Sequence, residues 1–419
     1  MKRIGLIIIL INVMFSQTSS MSLYGFGEYI DSYDASSISM GDVKLFNVSE
    51  KKIVLSSPST HTNIDYSNLS MSIAFNRLLL GDNKLSSNNF HYFSFVFPFT
   101  DKLSLGLGMN PLFRCNAEVK ELDYNYIGAD QSNVDYNNDG ILDPLAYKTD
   151  YNINGGISEL HASLGSKIGE NIKWGVKFAK LFGTSDRSYF LNMYVPQYNQ
   201  EGSITNYLFL NSSSEVNEYE YSSYSYKVDI RSRLKLFDNS QVIAFSFEKA
   251  NPMKIKVDAD FNSIENVDEL SFISNSGYEK YGFGLKMNID DEFGFIFETH
   301  QFNSFKSPQS VNIFESNNPD IFSLNCGLYK KLSNKKRNYS TNMKIGFYNK
   351  LYDIESHEIS DMGLTFGIGV EYLNYNSFDV GVKFGYRESS DLNIQNEEYY
   401  KLYLTLNSGE KWFVKNRRN

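Results

Sequence analysis

The stretch "DYNNDGILD", residues 135–143, sets side-chain oxygens at Asp135, Asn137, Asp139 and Asp143 around Gly140. This is the spacing of an EF-hand-type calcium loop, to which Ile141 would add its carbonyl. Position twelve is Ala146, where a bidentate glutamate belongs, and no helical pattern flanks the stretch. Two readings follow: a weak, structural calcium site, or an Asn/Asp/Gly-rich turn in an acidic surface loop. Elsewhere, groups able to do chemistry are sparse. His61, His91, His161, His300 and His357 are scattered, and none completes a motif with a serine or a second metal ligand. No Walker loop, dinucleotide fingerprint or zinc spacing occurs, so neither an enzyme nor a cofactor other than calcium is expected. Cys115 and Cys326 leave a single disulfide and two buried thiols equally open.

Cations recur on one face of the chain's alternating segments. Lys227, Arg231, Arg233 and Lys235 share a face with Asp229, and Lys254 and Lys256 share one with Asp258 and Asp260. Arg231 and Arg233 are candidates for the carboxylate of an amphiphilic ligand; the alternative is a polar wall whose charges compensate one another. Phe93, Phe95 and Phe97 are candidates for the greasy part of a ligand path, because both faces of segment 90–99 are apolar or aromatic.

What must position these residues is legible from periodicity. Tyr224, Tyr226, Val228, Ile230, Leu234 and Leu236 alternate with Ser225, Lys227, Asp229, Arg231, Arg233 and Lys235, a period of two that marks a strand. Similar alternation fills about fourteen segments between residues 69 and 407, many of ten residues or more, the length that crosses a membrane at a tilt. Tight connections such as Thr100 to Lys102, Gly169 to Asn171, Asp238 to Ser240 and Asp290 to Glu292 are interleaved with long ones, notably 116–156 and 183–221. The seventh segment, 240–261, carries Asn251-Pro252 and is read as one strand broken by a kink or bulge. The expectation is an all-β fold, an antiparallel transmembrane barrel of about 14 strands over residues 69–413.

The ends fit an exported protein. Lys2 and Arg3 precede an apolar run, Ile4 to Phe15, and then Ser16 to Ser20, the layout of a signal peptide over residues 1–20. Residues 21–68 are too irregular for strands and suit a plug inside the lumen; 414–419 form a basic tail. Both termini are expected on the periplasmic side. The net charge of −9 argues against nucleic acid as a partner. With 32 phenylalanines and 30 tyrosines but a mean hydropathy of −0.36, the composition suits a wall that is aromatic outside and polar inside.

Five stretches together resemble the long-chain fatty-acid transporter family of outer-membrane barrels. They are "SISMGDVKLF" (37–46), "SSPSTHTNIDYSNLS" (56–70), "FSFVFPFTDKLSLGLGMNP" (93–111), "EKANPMKIKVDADF" (248–261) and "LNSGEKWF" (406–413). The family's "SMGGAG" and "NPAGL" stand here as "SMGDV" (39–43) and "SPSTH" (57–61). The resemblance implies a fourteen-stranded barrel with an N-terminal hatch, passing hydrophobic molecules inward by a lateral route. Any opening is expected near strands 69–115, where glycine and proline interrupt the pattern. Two functions follow: transport of hydrophobic small molecules such as long-chain fatty acids, or a barrel that binds a protein partner through its long loops as an interaction or secretion-system component. Membrane lipids surround it either way. A closed aromatic cavity would favour the first and a solidly blocked lumen the second; a plain diffusion porin ranks third.

Overall fold

The computed structural model describes residues 19–410, apart from 50–51, 81–82, 121–122, 133, 137–139, 141, 200–202, 237–238, 262–269, 291, 307–317, 335–338, 355–356, 373–375 and 390–395. The expected signal peptide, save its last residues, and the basic tail lie outside that range.

Fourteen antiparallel strands close on themselves. In chain order they are β2 (Ser67–Leu80), β3 (Asn83–Thr100), β4 (Leu103–Lys120), β6 (Leu145–Ile168), β7 (Ile172–Tyr198), β8 (Ile204–Leu236), β9 (Asn239–Ala250), β12 (Glu279–Asn288), β13 (Phe293–Asn303), β14 (Asp320–Asn334), β15 (Tyr339–Ile354), β16 (His357–Tyr372), β17 (Asn376–Ser389) and β18 (Glu397–Glu410). Closure comes from β18 against β2, in register from Glu410↔Ser67 to Glu398↔Leu79. Four further pieces complete the ladder: β1 (Glu28–Tyr29) inside the barrel, β5 (Asn125–Ile127) against β6, and the pair β10 (Lys254–Phe261) and β11 (Leu270–Ile273). The pairing of β18 with β2 closes the ring, and closure removes the open edges that a strand cannot present to lipid.

Parity does the rest. Phe178, Tyr226, Val228, Ile230, Phe245, Met343, Ile345, Leu364, Phe366 and Ile368 point outward and are exposed, an apolar belt facing lipid. Their neighbours Lys177, Lys227, Asp229, Glu248, Lys344, Thr365 and Asp379 are buried against the lumen filling.

Two segments expected as long loops are largely ladder. Strands β6, β7 and β8 run for 24, 27 and 33 residues, well past the ~10 needed to cross the membrane, so 145–156, 183–198 and 204–221 extend the wall beyond the bilayer. Their sequence hid this because, outside lipid, neither face must be apolar and the period of two fades.

The seventh strand breaks at Asn251-Pro252, as its proline predicts, but with a consequence for facing. Below the break β9 pairs with β8 as Ala250↔Ser225; above it β10 takes over as Lys254↔Ser222. Ala250 and Met253 are both buried, so the break shifts the alternation by one residue. Lys254, Lys256, Asp258 and Asp260, expected in the lumen, therefore point outward and are exposed, while Ile255 and Val257 turn inward.

They turn inward because an apolar core waits there. Phe26, in the plug, lies 5.8 Å from Phe113, 5.2 Å from Tyr221 and 5.4 Å from Phe305 between ring centroids, in edge-on contacts, and Met253, Ile255 and Tyr278 pack into the same cluster. Phe26→Ala should cost about 3–5 kcal/mol of plug docking. It should raise the rate of protease cleavage within residues 28–66 by roughly a hundredfold to a few thousandfold, provided cleavage proceeds from the opened plug; a rise below threefold would show that this cluster does not hold the plug.

Candidate functional site

The lumen is occupied by the described residues of the stretch 19–66, nearly all of them buried. A short helix, Ala35–Ile38, starts on Asp34, whose Oδ1 accepts the Ser37 N–H at 2.9 Å. After it, Gly41 (φ 80°) and Asp42 (φ 68°) both adopt the left-handed conformation, an uncommon strain for aspartate. The turn lies directly on the wall: a Cβ on Gly346 would collide with the backbone of Met40 and Gly41. The Gly41 N–H donates to Thr365 Oγ1 at 2.8 Å and Asn325 Nδ2 donates to the Gly41 carbonyl at 2.6 Å.

The next three N–H groups, of Lys44, Leu45 and Phe46, converge on the Glu298 carboxylate at 2.6, 3.0 and 3.1 Å, and His300 Nε2 lies 2.9 Å from it. Glu298, on β13, is completely buried. Its carboxylate serves the plug turn as a helix N-cap would, satisfying donors that have no other outlet in a dry interior.

Charge pairing fixes the rest of the plug to nearly every side of the barrel. Asp42 Oδ2 meets Lys350 at 2.8 Å and Lys383 at 2.9 Å; Asp31 Oδ1 meets Lys350 at 3.2 Å and its other oxygen pairs with Lys44. Glu28 pairs with Lys401 at 3.1 Å and Arg387 at 3.4 Å, and Arg387 also holds Glu397 and Asp361. Lys52 reaches Asp379 at 2.7 Å, as does Lys344 from the wall. Asp229 accepts from Ser57 Oγ at 2.7 Å. Arg231 donates to Ser57 Oγ at 2.8 Å, Ser59 Oγ at 2.8 Å and the Leu45 carbonyl at 2.7 Å.

Three cavities between the described residues of plug and wall have about 50, 30 and 10 Å³ of free space, room for a few waters each at most. A pocket for a small organic ligand is usually ~300 Å³ or more.

The expected ligand path is dispersed. Phe93, Phe95 and Phe97 lie on the outer face of β3 among the lipid-facing residues, and it is Tyr92, Ser94 and Val96 that turn inward, with Tyr92 against Tyr33 and Leu55. An all-apolar strand gave no parity to read, and the ladder decided it. Arg231 is a plug anchor, and Arg233 lies near the short-turn end, in the lining of a recess with Arg231. Lys227 meets Glu248 at 3.4 Å and Lys177 meets Glu159 at 2.7 Å and Glu248 at 3.1 Å, whereas Asp229 accepts from the plug serines. Glu298, Asp379, Lys344, Lys350, Lys383 and Arg387 were not singled out by sequence; single charges at inward parity within apolar strands were the available signal.

In the 135–143 loop, Asp135 Oδ2 accepts the Gly140 N–H at 2.8 Å and Asp143 Oδ2 accepts the Tyr136 N–H at 2.8 Å. Both carboxylates thus act as turn acceptors; Asn137, Asp139 and Ile141 lie outside the described residues. Cys115 and Cys326 are free thiols, and Cys115 Sγ donates to the Phe26 carbonyl at 2.8 Å.

Among the described residues, the pairing of β3 with β4 ends within the region where an opening was expected. The β3–β4 ladder runs from Thr100↔Leu103 to Phe93↔Met109. Beyond Met109, among the described residues, β4 pairs with β6 on one side and with the plug's β1 at Phe113 and Arg114. Bulges sit on both flanks of this split. One lies between Ser72 and Ile73 opposite His91, the other between Pro111 and Phe113, where the Leu112 carbonyl accepts the Ile30 N–H at 2.9 Å. The cavity of about 50 Å³ lies behind the split, lined by Phe90, His91, Pro111 and Arg114.

The BamG family model matches residues 1–419, the whole chain. This chain belongs to the BamG family. No curated protein matches it. Among solved structures, the CymD monoaromatic hydrocarbon channel is similar at 9% identity and TM-score 0.55, covering 91% of this chain and 98% of that one. A Pseudomonas aeruginosa FadL homologue is similar at 10% identity and TM-score 0.55, covering 91% and 99%. The Pseudomonas putida toluene transporter TodX is similar at 10% identity and TM-score 0.51, again covering 91% and 99%. At these identities the likeness is one of fold: this BamG-family chain has the architecture of the outer-membrane hydrophobic-compound channels, as its motifs implied.

The plug's carboxylates give the BamG-family chain a pH signature. Burial alone would raise the Asp31 and Asp42 carboxyls, but Lys350 and Lys44 beside both, with Lys383 at Asp42, hold them well below the ordinary aspartate value of 3.8. A depressed carboxylate contributes stability that is present above its unfolded value and lost as pH falls below it. In a Cys326→Ser background, Cys115 should resist dithiodipyridine at pH 7 and become reactive as pH is taken from about 5 to 2. Unchanged protection across that range would show that the acidic pairs do not seat the plug.

Proposed function

We propose that this chain is a closed outer-membrane barrel that works by binding protein partners at its surfaces and mouths. One observation carries the reading: the plug is tied to the wall by buried ion pairs around its circumference, and the cavities seen between the described residues of plug and wall are water-sized. Such a lumen suits a scaffold better than a conduit, since moving the plug would separate the buried pairs that Asp31, Asp42, Glu28 and Lys52 make with the wall. The wall extension made by β6, β7 and β8 offers surface for contact, with Tyr126, Tyr198 and Phe209 exposed on it. We place the short turns and both chain ends on the periplasmic side, as short periplasmic turns are the rule in these barrels.

A second reading, inward passage of hydrophobic molecules, is favoured by the β3–β4 split with Phe90 at its outer edge. Mild detergent extraction of native membranes separates the two. The expected result is a complex larger than the monomer with a fixed protein stoichiometry and no bound hydrophobic compound by lipid analysis. A monomer carrying one acyl chain or aromatic compound per chain, with an uptake defect in a deletion strain, would reverse the order.

The 135–143 loop is proposed as a turn, in line with its two carboxylates accepting backbone N–H groups. Exchanging EGTA for millimolar calcium should leave the melting temperature unchanged, and a rise of several degrees would restore the ion.

A further inference from the structure

The β3–β4 split holds a cation that no described group answers. Arg114, half-buried on β4, lines the cavity of about 50 Å³ behind the split together with Phe90 and His91. Among the described residues no carboxylate pairs with it, and its Nε, shut off from solvent, donates to no acceptor. Glu28 stands opposite Arg114 in the β1–β4 ladder, yet its carboxylate is engaged by Lys401 at 3.1 Å and Arg387 at 3.4 Å. The other carboxylates lining the cavity are matched as well: Asp31 by Lys350, Asp42 by Lys350 and Lys383, and Asp361 by Arg387. His91, only 6% exposed, carries a second unpartnered nitrogen, Nδ1. A guanidinium withdrawn from water without a partner is costly, and the planar fork of its donors fits a phosphate or a carboxylate.

From this arrangement we infer that the recess binds the phosphate headgroup of an anionic membrane lipid, which enters sideways through the split. The recess reaches the outside of the wall, since Phe90 in its lining is 46% exposed. Immediately below, the last pair of the β3–β4 ladder is Phe93↔Met109, both exposed on the lipid-facing side and placed to carry acyl chains. Depth agrees with this. Arg114 pairs with Gly156, and Gly156 with Thr184, the row at which β6 and β7 leave the bilayer, so Arg114 stands at the level of the headgroups, where the anions are lipid phosphates. Size agrees too: space for a few waters accommodates a phosphate and excludes an acyl chain. Lipid binding here goes beyond the partner-binding reading and does not depend on it.

The test uses the full-length protein in a non-ionic detergent, titrated with phosphatidylglycerol and followed by native mass spectrometry. One saturable lipid per chain is expected, bound roughly tenfold more weakly by Arg114→Gln and with most of the affinity restored in Arg114→Lys. Lys180→Gln, which alters an exposed lysine on β7, should leave binding unchanged. Because Arg114→Gln removes a charge that no described group pairs with, the lipid-free variant should melt no lower than the parent protein. A melting temperature lower by several degrees would reveal a structural partner and overturn the proposal. Equal affinity in Arg114→Gln, or equal binding of phosphatidylcholine, would overturn it as well. Inorganic phosphate that displaces the lipid at matching concentration would make this a free-anion site instead. Oleate bound one per chain in place of phosphatidylglycerol, and lost in Arg114→Gln, would overturn the proposal in favour of the transport reading.

Discussion

The structure depends on neutralising charge inside a closed wall. A barrel of fourteen strands whose outer face must be apolar has only its inner face on which to place polar residues, and filling that lumen with chain removes water from all of them. Each buried charge then needs a partner. Asp31, Asp42 and Glu28 of the plug supply partners to Lys350, Lys383, Lys401 and Arg387, and Lys52 returns the favour to Asp379. Remove the plug and the wall keeps unpaired cations; remove the wall charges and the plug has no seat.

This constraint explains features that look unrelated. The left-handed Gly41-Asp42 turn brings the Asp42 carboxylate to two lysines and aims the following N–H groups at Glu298. Gly346 exists without a side chain where that turn touches β15. The facing shift at Asn251-Pro252 supplies Ile255 and Val257 to the aromatic cluster around Phe26, where the plug is held by apolar contact instead of charge. The cooperative result is a plug fixed at its middle by ion pairs and at the long-loop end by packing.

The same constraint bears on function. Transport through the lumen would require many paired charges to separate together, each at the cost of an uncompensated buried ion. At the β3–β4 split the wall's pairing yields, and there the plug's β1 occupies the edge of β4. Contact at outer surfaces and mouths asks for no such rearrangement.

Class, strand count, the kink at Pro252 and the region of the split were legible in the sequence, because lipid on one side of every strand imposes a period of two and proline removes a ladder donor. Facing at Phe93, Phe95 and Phe97 was not, since both parities of that strand are apolar, and neither was the outward turn of Lys254 and Lys256, since one inserted residue reverses every later side chain. Nor could the sequence join Asp42 to Lys350 or Glu298 to Lys44, pairs separated by hundreds of residues. Alternation is written locally and survives in the chain alone; which charge meets which, and whether the lumen is open, is set by register and closure, and these exist only once all fourteen strands have met.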